Sequence, residues 1–247
     1  MKALNLNEVI EFVEIHIGDF HHRRSENLQR LNLNTVLKRK NPYLFRAKNI
    51  STAQDLVKGL LDAHLSSQEE AIFGEFLESL AIFVCQRVFD GRKSAAEGID
   101  LEFEKDHTLY IVSIKSGPNW GNSSQVKRMI ENFKRAKRIL QTSGAQQHIQ
   151  AVNGCCYGID RQPNKGDYWK LCGQAFWEFI SDNEQLYLEI IEPLGHRAKE
   201  HNQEFAENYA RTINLFTQQF IRDFCVDGLI NWEKLVQFNS SKSWTDN

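Results

Sequence analysis

The sequence Gly98-Ile99-Asp100-Leu101-Glu102-Phe103, followed by Leu109-Tyr110-Ile111-Val112-Ser113-Ile114-Lys115-Ser116-Gly117, predicts two short apolar strands in hairpin order. Asp100 stands at the start of the first strand, and Lys115 lies among apolar residues at the end of the second. Because lysine is rarely buried without a partner or a function, Asp100 is its expected partner. A carboxylate and an ammonium group at a strand end can bind a divalent metal and activate water, which is the minimum needed to hydrolyse a phosphodiester. A simpler interpretation is an ion pair across the hairpin, worth under about 1 kcal/mol.

Composition and charge limit the class of protein. The 247 residues suit one large domain, or a core with a helical annex. With 41% hydrophobic and 25% charged residues, the sequence is that of an ordinary globular protein. A net charge of −2 disfavours a sequence-blind nucleic-acid binder, which is usually strongly basic. Basic residues still cluster at 21–24, 38–48 and 127–138, either as the lining of a local cleft or as solvated helix faces.

The sequence also indicates a compartment. Its five cysteines are odd in number and show no C-x-x-C spacing, which favours free thiols in a reducing cytoplasm. The longest apolar run, Leu80 to Cys85, is far shorter than the roughly 18 residues that suggest a membrane span. The chain opens with Met1-Lys2-Ala3-Leu4 and then turns polar and acidic, which predicts no signal peptide. We therefore expect a cytoplasmic protein without a membrane span.

The spacing of apolar residues predicts an α/β (α+β) protein, in which a small mixed sheet is surrounded by helices. The expected helices cover residues 5–16, 26–40, 51–65, 67–88, 123–142, 173–180 and 197–225, and further strands cover 148–158 and 168–172. Residues 1–66 would form an N-terminal helical region packed on a core of residues 67–195, followed by C-terminal helices in 196–247. We expect these regions to form one structural domain.

Three strings of sequence resemble a known family. The order of a helix with Glu, Gly-Ile-Asp at a strand start, and a strand ending in x-x-Lys before a helix resembles the PD-(D/E)xK nuclease superfamily. Within it, three strings resemble bacterial type II restriction endonucleases: Ile111-Val112-Ser113-Ile114-Lys115-Ser116-Gly117-Pro118-Asn119-Trp120-Gly121-Asn122-Ser123-Ser124-Gln125, then Asn41 to Phe45, and Gly173 to Ile180. The resemblance spans about residues 40–195. It implies a restriction-endonuclease-like mixed sheet flanked by helices, with an N-terminal helical region and a long C-terminal helix.

The resemblance also implies roles for individual residues. Asp100 matches the metal-binding aspartate, and Lys115 matches the lysine that orients or deprotonates the attacking water and steadies the phosphate. The backbone carbonyl of Ile114 falls where such a group commonly joins the metal shell. Ser113 occupies a catalytic position but departs from the pattern, which has Asp or Glu there. A neutral hydroxyl is a poor ligand for a hard cation that prefers carboxylate oxygen.

A substitute for the missing acid is expected on a nearby helix, as in some members of the superfamily. Glu78 is the first choice as a catalytic and metal-binding acid, because it lies four residues after Gly74 on the preceding helix. Glu131 is the second choice, and Glu75 and Glu97 follow it. The alternative is that Glu78 is an ordinary exposed helix acid. With one carboxylate alone, the site would bind Mg²⁺ weakly.

The turn after Lys115 is the expected DNA-binding element. It supplies amide, hydroxyl and indole groups suited to base edges and phosphates, and N–H groups at a helix start suit an anion. The alternative is a capped turn with a packed indole. The candidate DNA-binding residues are Asn119, Trp120, Asn122, Ser123, Ser124, Gln125 and Lys127.

These expectations combine into a Mg²⁺-dependent type II restriction endonuclease that hydrolyses double-stranded DNA at a specific sequence and leaves 5′-phosphate ends. Cutting two strands symmetrically favours a homodimer, and protection of the host genome implies a cognate methyltransferase. One alternative is a structure-selective repair or junction nuclease on the same fold. Another is a catalytically inactive DNA-binding or partner-binding module, in which Ser113 marks the loss of the site.

Overall fold

The computed structural model describes residues 2–142 and 147–242. Met1 and the last five residues of the expected C-terminal helical region therefore lie outside the described residues. In chain order, the elements are α1 (Leu6–Gln29), α2 (Leu33–Arg39), α3 (Pro42–Ala47), α4 (Ala53–Phe89), β1 (Arg92–Lys93), β2 (Leu101–Lys105), β3 (Thr108–Lys115), α5 (Ser123–Thr142), β4 (His148–Cys155), β5 (Trp169–Cys172), α6 (Gln174–Ser181), α7 (Leu186–Glu189), α8 (Ile191–Leu194), α9 (Ala198–Phe224), β6 (Cys225–Val226), β7 (Leu229–Ile230) and α10 (Trp232–Ser240).

Two compact units divide the chain. The first contains the N-terminal residues up to Gly18 together with Phe73–His196, and the second contains Asp19–Ile72 together with the residues from Arg197 onward. The expectation that the chain forms one structural domain stays a prediction. Among the helices of the described residues, none combines the length and the apolar character that a membrane span needs.

The first unit is built on a sheet with the strand order β1-β2-β3-β4-β5. The β2–β3 hairpin is antiparallel, with Leu101 opposite Val112, whereas β3, β4 and β5 are parallel neighbours. A parallel pair needs a crossover connection, and α5 supplies it between β3 and β4. The beginning of β2 and the ends of β3, β4 and β5 therefore meet at one edge of the sheet, which we call the carboxyl edge.

Alternation of side chains along β3 places a different core on each face of the sheet. Val112 and Ile114 face a large apolar cluster that includes residues of α4 and α6. Ile111 faces a second cluster that contains Met129 and Phe133 of α5. The sheet is thus covered by helices on both faces, which confirms the expected mixed sheet flanked by helices.

The second unit consists of helices and the short hairpin β6–β7. One of its apolar clusters joins α2, α3 and the beginning of α4 to the end of α9 and to α10. Another places Leu28, Leu61 and Leu65 beside Phe205 and Ile213. The long C-terminal helix α9 begins and ends within one residue of the expected range 197–225. It could be predicted because its apolar residues repeat at three- and four-residue intervals.

Several helix boundaries differ from expectation. The segments 51–65 and 67–88 form the single helix α4. Its polar residue Ser67 does not end the helix, because its hydroxyl donates to the carbonyl of Ala63 one turn earlier, at 3.1 Å. Residues 41–50 were not expected to be helical, yet they contain α3, since the Asn41 side chain caps this helix and Pro42 occupies its first turn. Helix α1 likewise continues past residue 16 to Gln29.

Candidate active site

Asp100 lies immediately before β2, at the carboxyl edge, and its side chain turns toward the end of β3. Its carboxylate accepts a hydrogen bond from the backbone N–H of Ile114 at 2.7 Å. The Ser113 hydroxyl donates to the same oxygen at 3.4 Å. The Lys115 Nζ lies 3.8 Å from that oxygen. The structure therefore brings together the aspartate and the lysine that the sequence pairs.

Local sequence explains why Asp100 occupies this position. Gly98, two residues earlier, has a φ of +75°, a left-handed conformation that glycine adopts without steric cost. A Cβ at Gly98 would also collide with the Asn132 side chain of α5. Ile99 then enters the apolar cluster on the α5 face. This turn delivers Asp100 to the first position of the hairpin, where its backbone N–H donates to the Val112 carbonyl at 2.8 Å.

Lys115 is held by two further contacts. Its Nζ donates to its neighbour's carbonyl, the oxygen of Ile114, at 2.8 Å. The ammonium group also lies 5.5 Å from the centroid of the Trp120 ring, within the range of a cation–π contact. The Lys115 side chain is 31% exposed and that of Asp100 is 21% exposed, so the pair lies at a partly open surface. Such a pair can reach a substrate, which a fully buried pair cannot.

Glu78 lies near this pair. Helix α4 approaches the end of β3 at Gly74, where an added Cβ would lie 2.7 Å from the Ser116 hydroxyl. Burial is the main cause that raises the pKa of Glu78, and the negative charge of Asp100 adds to it, while Lys93 and Lys115 act in the opposite direction. The Glu78 carboxylate also lies 3.7 Å from the Lys93 Nζ. Two carboxylates and two lysines thus interact electrostatically at this site.

The other candidate acids have different surroundings. Glu97 pairs with Arg128 at 3.3 Å and with Arg135 at 2.9 Å, both on α5. Glu75 and Glu131 are exposed on their helices. Within residues 2–142 and 147–242, no group of three or more His, Cys, Asp or Glu side chains is arranged to hold a metal ion.

The turn between β3 and α5 has a well-defined local structure. Asn122 and Gln125 form a reciprocal cap, in which each side-chain oxygen accepts from the other residue's backbone N–H, at 3.1 and 2.9 Å. The Trp120 indole N–H donates into the protein, to Asn153 at 3.1 Å. The remaining candidates are exposed at the beginning of α5 or just before it: Asn119, Ser123, Ser124 and Lys127.

Sequence reasoning missed Asn153. It lies opposite Ser113 in the parallel β3–β4 pair and is 1% exposed. Its amide nitrogen donates to the Ser113 carbonyl at 3.1 Å. The signal was a single asparagine within the otherwise apolar stretch Ala151 to Cys156, but only the strand register reveals that it lies beside the site.

Sequence reasoning also missed Lys170, on β5. Its Nζ donates to the Pro118 carbonyl at 2.9 Å and therefore anchors the turn that follows Lys115. Asp160 lies 3.7 Å from the same ammonium and 3.0 Å from that of Lys165. Burial acts to raise the pKa of Asp160, but the hydrogen bond from Lys165 and the nearby positive charge outweigh it, so the pKa lies below its ordinary value.

A mixed sheet flanked by helices, with an aspartate and a lysine at the ends of adjacent hairpin strands, is consistent with the restriction-endonuclease-like class of nucleases. The comparison with known families agrees with this class. The sequence model of the type II restriction endonuclease EcoO109I family matches residues 7–202 of the 247-residue chain, and the chain belongs to that family. It is therefore a nuclease of a family that cleaves DNA. A search of curated proteins found no match.

Proposed function

We propose that this protein is a Mg²⁺-dependent type II restriction endonuclease that hydrolyses both strands of duplex DNA at one short sequence. The products would carry 5′-phosphate and 3′-hydroxyl ends. The observation that carries the proposal is the 3.8 Å approach of Lys115 Nζ to Asp100 at the carboxyl edge. It occurs in a chain whose family cleaves DNA.

The side chains at this edge fit a magnesium ion. Mg²⁺ usually takes one or two carboxylates and fills its remaining positions with waters and substrate phosphates. Asp100 and Glu78 would supply the two carboxylates, and the Ile114 carbonyl would supply a third oxygen. The charge of Asp100 contributes to the raised pKa of Glu78, and a cation near both groups would relieve this repulsion. When bound, the ion would stabilise charge on the phosphate and lower the pKa of the attacking water.

The protein's own groups would orient the reactants. Lys115, held between Asp100 and the Trp120 ring, would steady the phosphate and orient or deprotonate the attacking water. The Ile114 N–H fixes one oxygen of Asp100, which leaves the other oxygen of that carboxylate for the metal. Ser113 would support Asp100 through its hydrogen bond and would not bind the metal itself, because a neutral hydroxyl is a poor ligand for Mg²⁺.

The turn and the first part of α5 would contact DNA. The N–H groups at the beginning of α5 suit a backbone phosphate, and the exposed Lys127 would add a positive charge. Asn122 and Gln125 use their side-chain oxygens for capping, so their amide nitrogens would be the groups that reach a base or phosphate. Trp120 would act through its ring, because its N–H is bonded to Asn153. The full proposed set is Asn119, Trp120, Asn122, Ser123, Ser124, Gln125 and Lys127.

The proposed reaction has consequences for assembly and context. Two strands cut at symmetric positions require two active sites related by a twofold axis, so we propose a homodimer. A host that carries the same DNA sequence needs a methyltransferase that protects it. Both the enzyme and its substrate would be cytoplasmic.

The test is to incubate the purified protein with unmethylated phage DNA and Mg²⁺ and to sequence the fragment ends. We expect discrete fragments whose ends share one short sequence and carry 5′-phosphates. Cleavage confined to branched DNA would instead favour the structure-selective nuclease. DNA binding without cleavage of any substrate would favour the inactive binding module.

A further inference from the structure

Asn153 is a buried polar residue whose two principal hydrogen bonds join it to neighbours of the candidate active site. Burying an amide in an apolar strand is unfavourable unless the amide is hydrogen-bonded. Here its nitrogen donates to the Ser113 carbonyl at 3.1 Å, and its oxygen accepts from the Trp120 indole N–H at 3.1 Å. The same oxygen lies 3.9 Å from the Cys155 Sγ, a weaker contact. Asn153 thus links β4 both to β3 and to the turn that follows it.

Each of the two residues to which Asn153 bonds in turn contacts Asp100 or Lys115. Ser113, held through its carbonyl, donates its hydroxyl to Asp100. Trp120, held through its indole N–H, places its ring centroid 5.5 Å from the Lys115 Nζ. One buried side chain therefore fixes a neighbour of the aspartate and a neighbour of the lysine.

We propose that Asn153 is a positioning residue of the nuclease site, which sets the relative placement of Asp100 and Lys115 through Ser113 and Trp120. This inference rests on the proposed function. Asn153 does not touch the substrate. It acts by preventing small displacements of the two groups that do. A misplacement of about 1 Å in a catalytic site can cost roughly 100-fold in rate, even when the change lies away from the reacting atoms.

Two variants test this role. Asn153→Ala removes both hydrogen bonds. Trp120→Phe removes only the bond to the indole N–H and keeps an aromatic ring at that position. The matched control is Gln150→Ala, on the same strand, because the Gln150 amide donates to the nearby carbonyl of Ala151 at 2.8 Å and not to the site.

The decisive readout separates DNA binding from the chemical step. We expect Asn153→Ala to lower the single-turnover cleavage rate of fully bound DNA by about 10- to 100-fold. The dissociation constant for the same DNA, measured with EDTA, should change by less than about threefold, since no DNA-contacting group is removed. Trp120→Phe should show a smaller loss of the single-turnover rate, measured at enzyme concentrations that saturate its DNA binding; its affinity for DNA is not part of the test, because Trp120 is itself a proposed DNA contact. Gln150→Ala should match the wild type in both measurements. If Asn153→Ala does not fold, the rate of Trp120→Phe at saturating enzyme decides the outcome: a lowered rate supports the positioning role and the wild-type rate overturns it.

A second readout does not depend on activity. In protein labelled with ¹⁵N-tryptophan, the indole resonance that disappears in Trp120→Phe identifies Trp120. Its N–H should exchange slowly with solvent in the wild type and faster in Asn153→Ala. Cleavage by both variants at the wild-type rate, or equal losses of DNA affinity and cleavage rate in Asn153→Ala, would overturn the positioning role. Failure of the wild type itself to cleave DNA with Mg²⁺ would contradict the proposed function instead.

Discussion

Replacing Asp100 by asparagine should separate the structural contribution of this residue from its chemical one. The amide oxygen of asparagine can still accept from the Ile114 N–H, so the charge is the main loss. At 3.8 Å, the attraction of the carboxylate to Lys115 is about 4 kcal/mol for an effective dielectric constant near 20 and about 1 kcal/mol in water. Both side chains are partly exposed, which favours the lower value. Removing the charge also relieves its repulsion of Glu78, which offsets part of this loss. We therefore expect a loss of at most about 1 kcal/mol in the free energy of unfolding, or no more than roughly 2–4 °C in Tm for a chain of this size.

The effect of Asp100→Asn on cleavage should be far larger. A metal ion stabilises the charge that develops on a phosphoryl group by several kcal/mol, and the variant loses one of the two carboxylates that would hold the ion. A loss of about 4 kcal/mol in the transition state corresponds to roughly a thousandfold lower rate. Binding of DNA in EDTA should be equal or tighter, because one negative charge near the phosphates is removed.

The assay combines thermal unfolding, DNA binding in EDTA and single-turnover cleavage with Mg²⁺. The matched control is Asp106→Asn, which removes one exposed charge in the turn of the same hairpin. Asparagine tolerates the positive φ of 50° at that position, so the control should be nearly neutral in all three measurements. A variant at position 100 that keeps cleavage within tenfold of the wild type would refute the reasoning. So would a loss of activity that the loss of folded protein fully explains.

Three further predictions concern stability and metal binding. Burial, together with the Asp100 charge, raises the pKa of Glu78 above 4.5. Ionisation of Glu78 as the pH rises therefore lowers the stability of the wild type. Glu78→Gln should be at least as stable as the wild type near neutral pH and should lose this advantage below pH 4.5. The variant should also need more Mg²⁺ for cleavage, and an unchanged Mg²⁺ dependence would remove Glu78 from the site. Burial and nearby positive charge lower the pKa of His21 from 6.5 to about 4. The stability of the wild type should therefore fall as the pH drops from 6.5 to about 4. In urea titrations at several pH values, His21→Gln should show a smaller fall over the same range. Gly154→Ala would place a Cβ against the buried Phe176 ring, 2.7 Å from its Cζ, and should cost about 1–3 kcal/mol by urea unfolding; a neutral result would contradict this packing.

The hairpin that carries Asp100 and Lys115 could be predicted from the sequence. Alternating apolar residues and a turn predict the β2–β3 hairpin, and the start of one strand must then lie beside the end of the next. The proximity of Asp100 and Lys115 follows from that topology alone. The start of the helix over 123–142 could also be predicted from the sequence, but only the structure shows that Asn122 and Gln125 cap it reciprocally.

The remaining features depend on tertiary register. Asn153 faces Ser113 only because β4 pairs with β3 in parallel after a helical crossover, and spacing along the chain does not encode that register. The contact of Lys170 with the Pro118 carbonyl likewise depends on the parallel pairing of β5 with β4, which spacing along the chain does not encode. The sequence did not predict that α4 is continuous, because serine ends some helices and is accommodated in others. In the structure the Ser67 hydroxyl donates to the Ala63 carbonyl within the helix.

The most direct test of the paired action of Asp100 and Lys115 is the single-turnover cleavage rate of Lys115→Gln at saturating enzyme, with DNA binding measured in EDTA on the same preparation. Lys105→Gln, in the same hairpin but paired with Asp182, serves as the control. If the amine steadies the phosphate and orients the water, the rate should fall by roughly a thousandfold or more while DNA binding weakens only a few-fold. A rate within tenfold of the wild type would contradict the account.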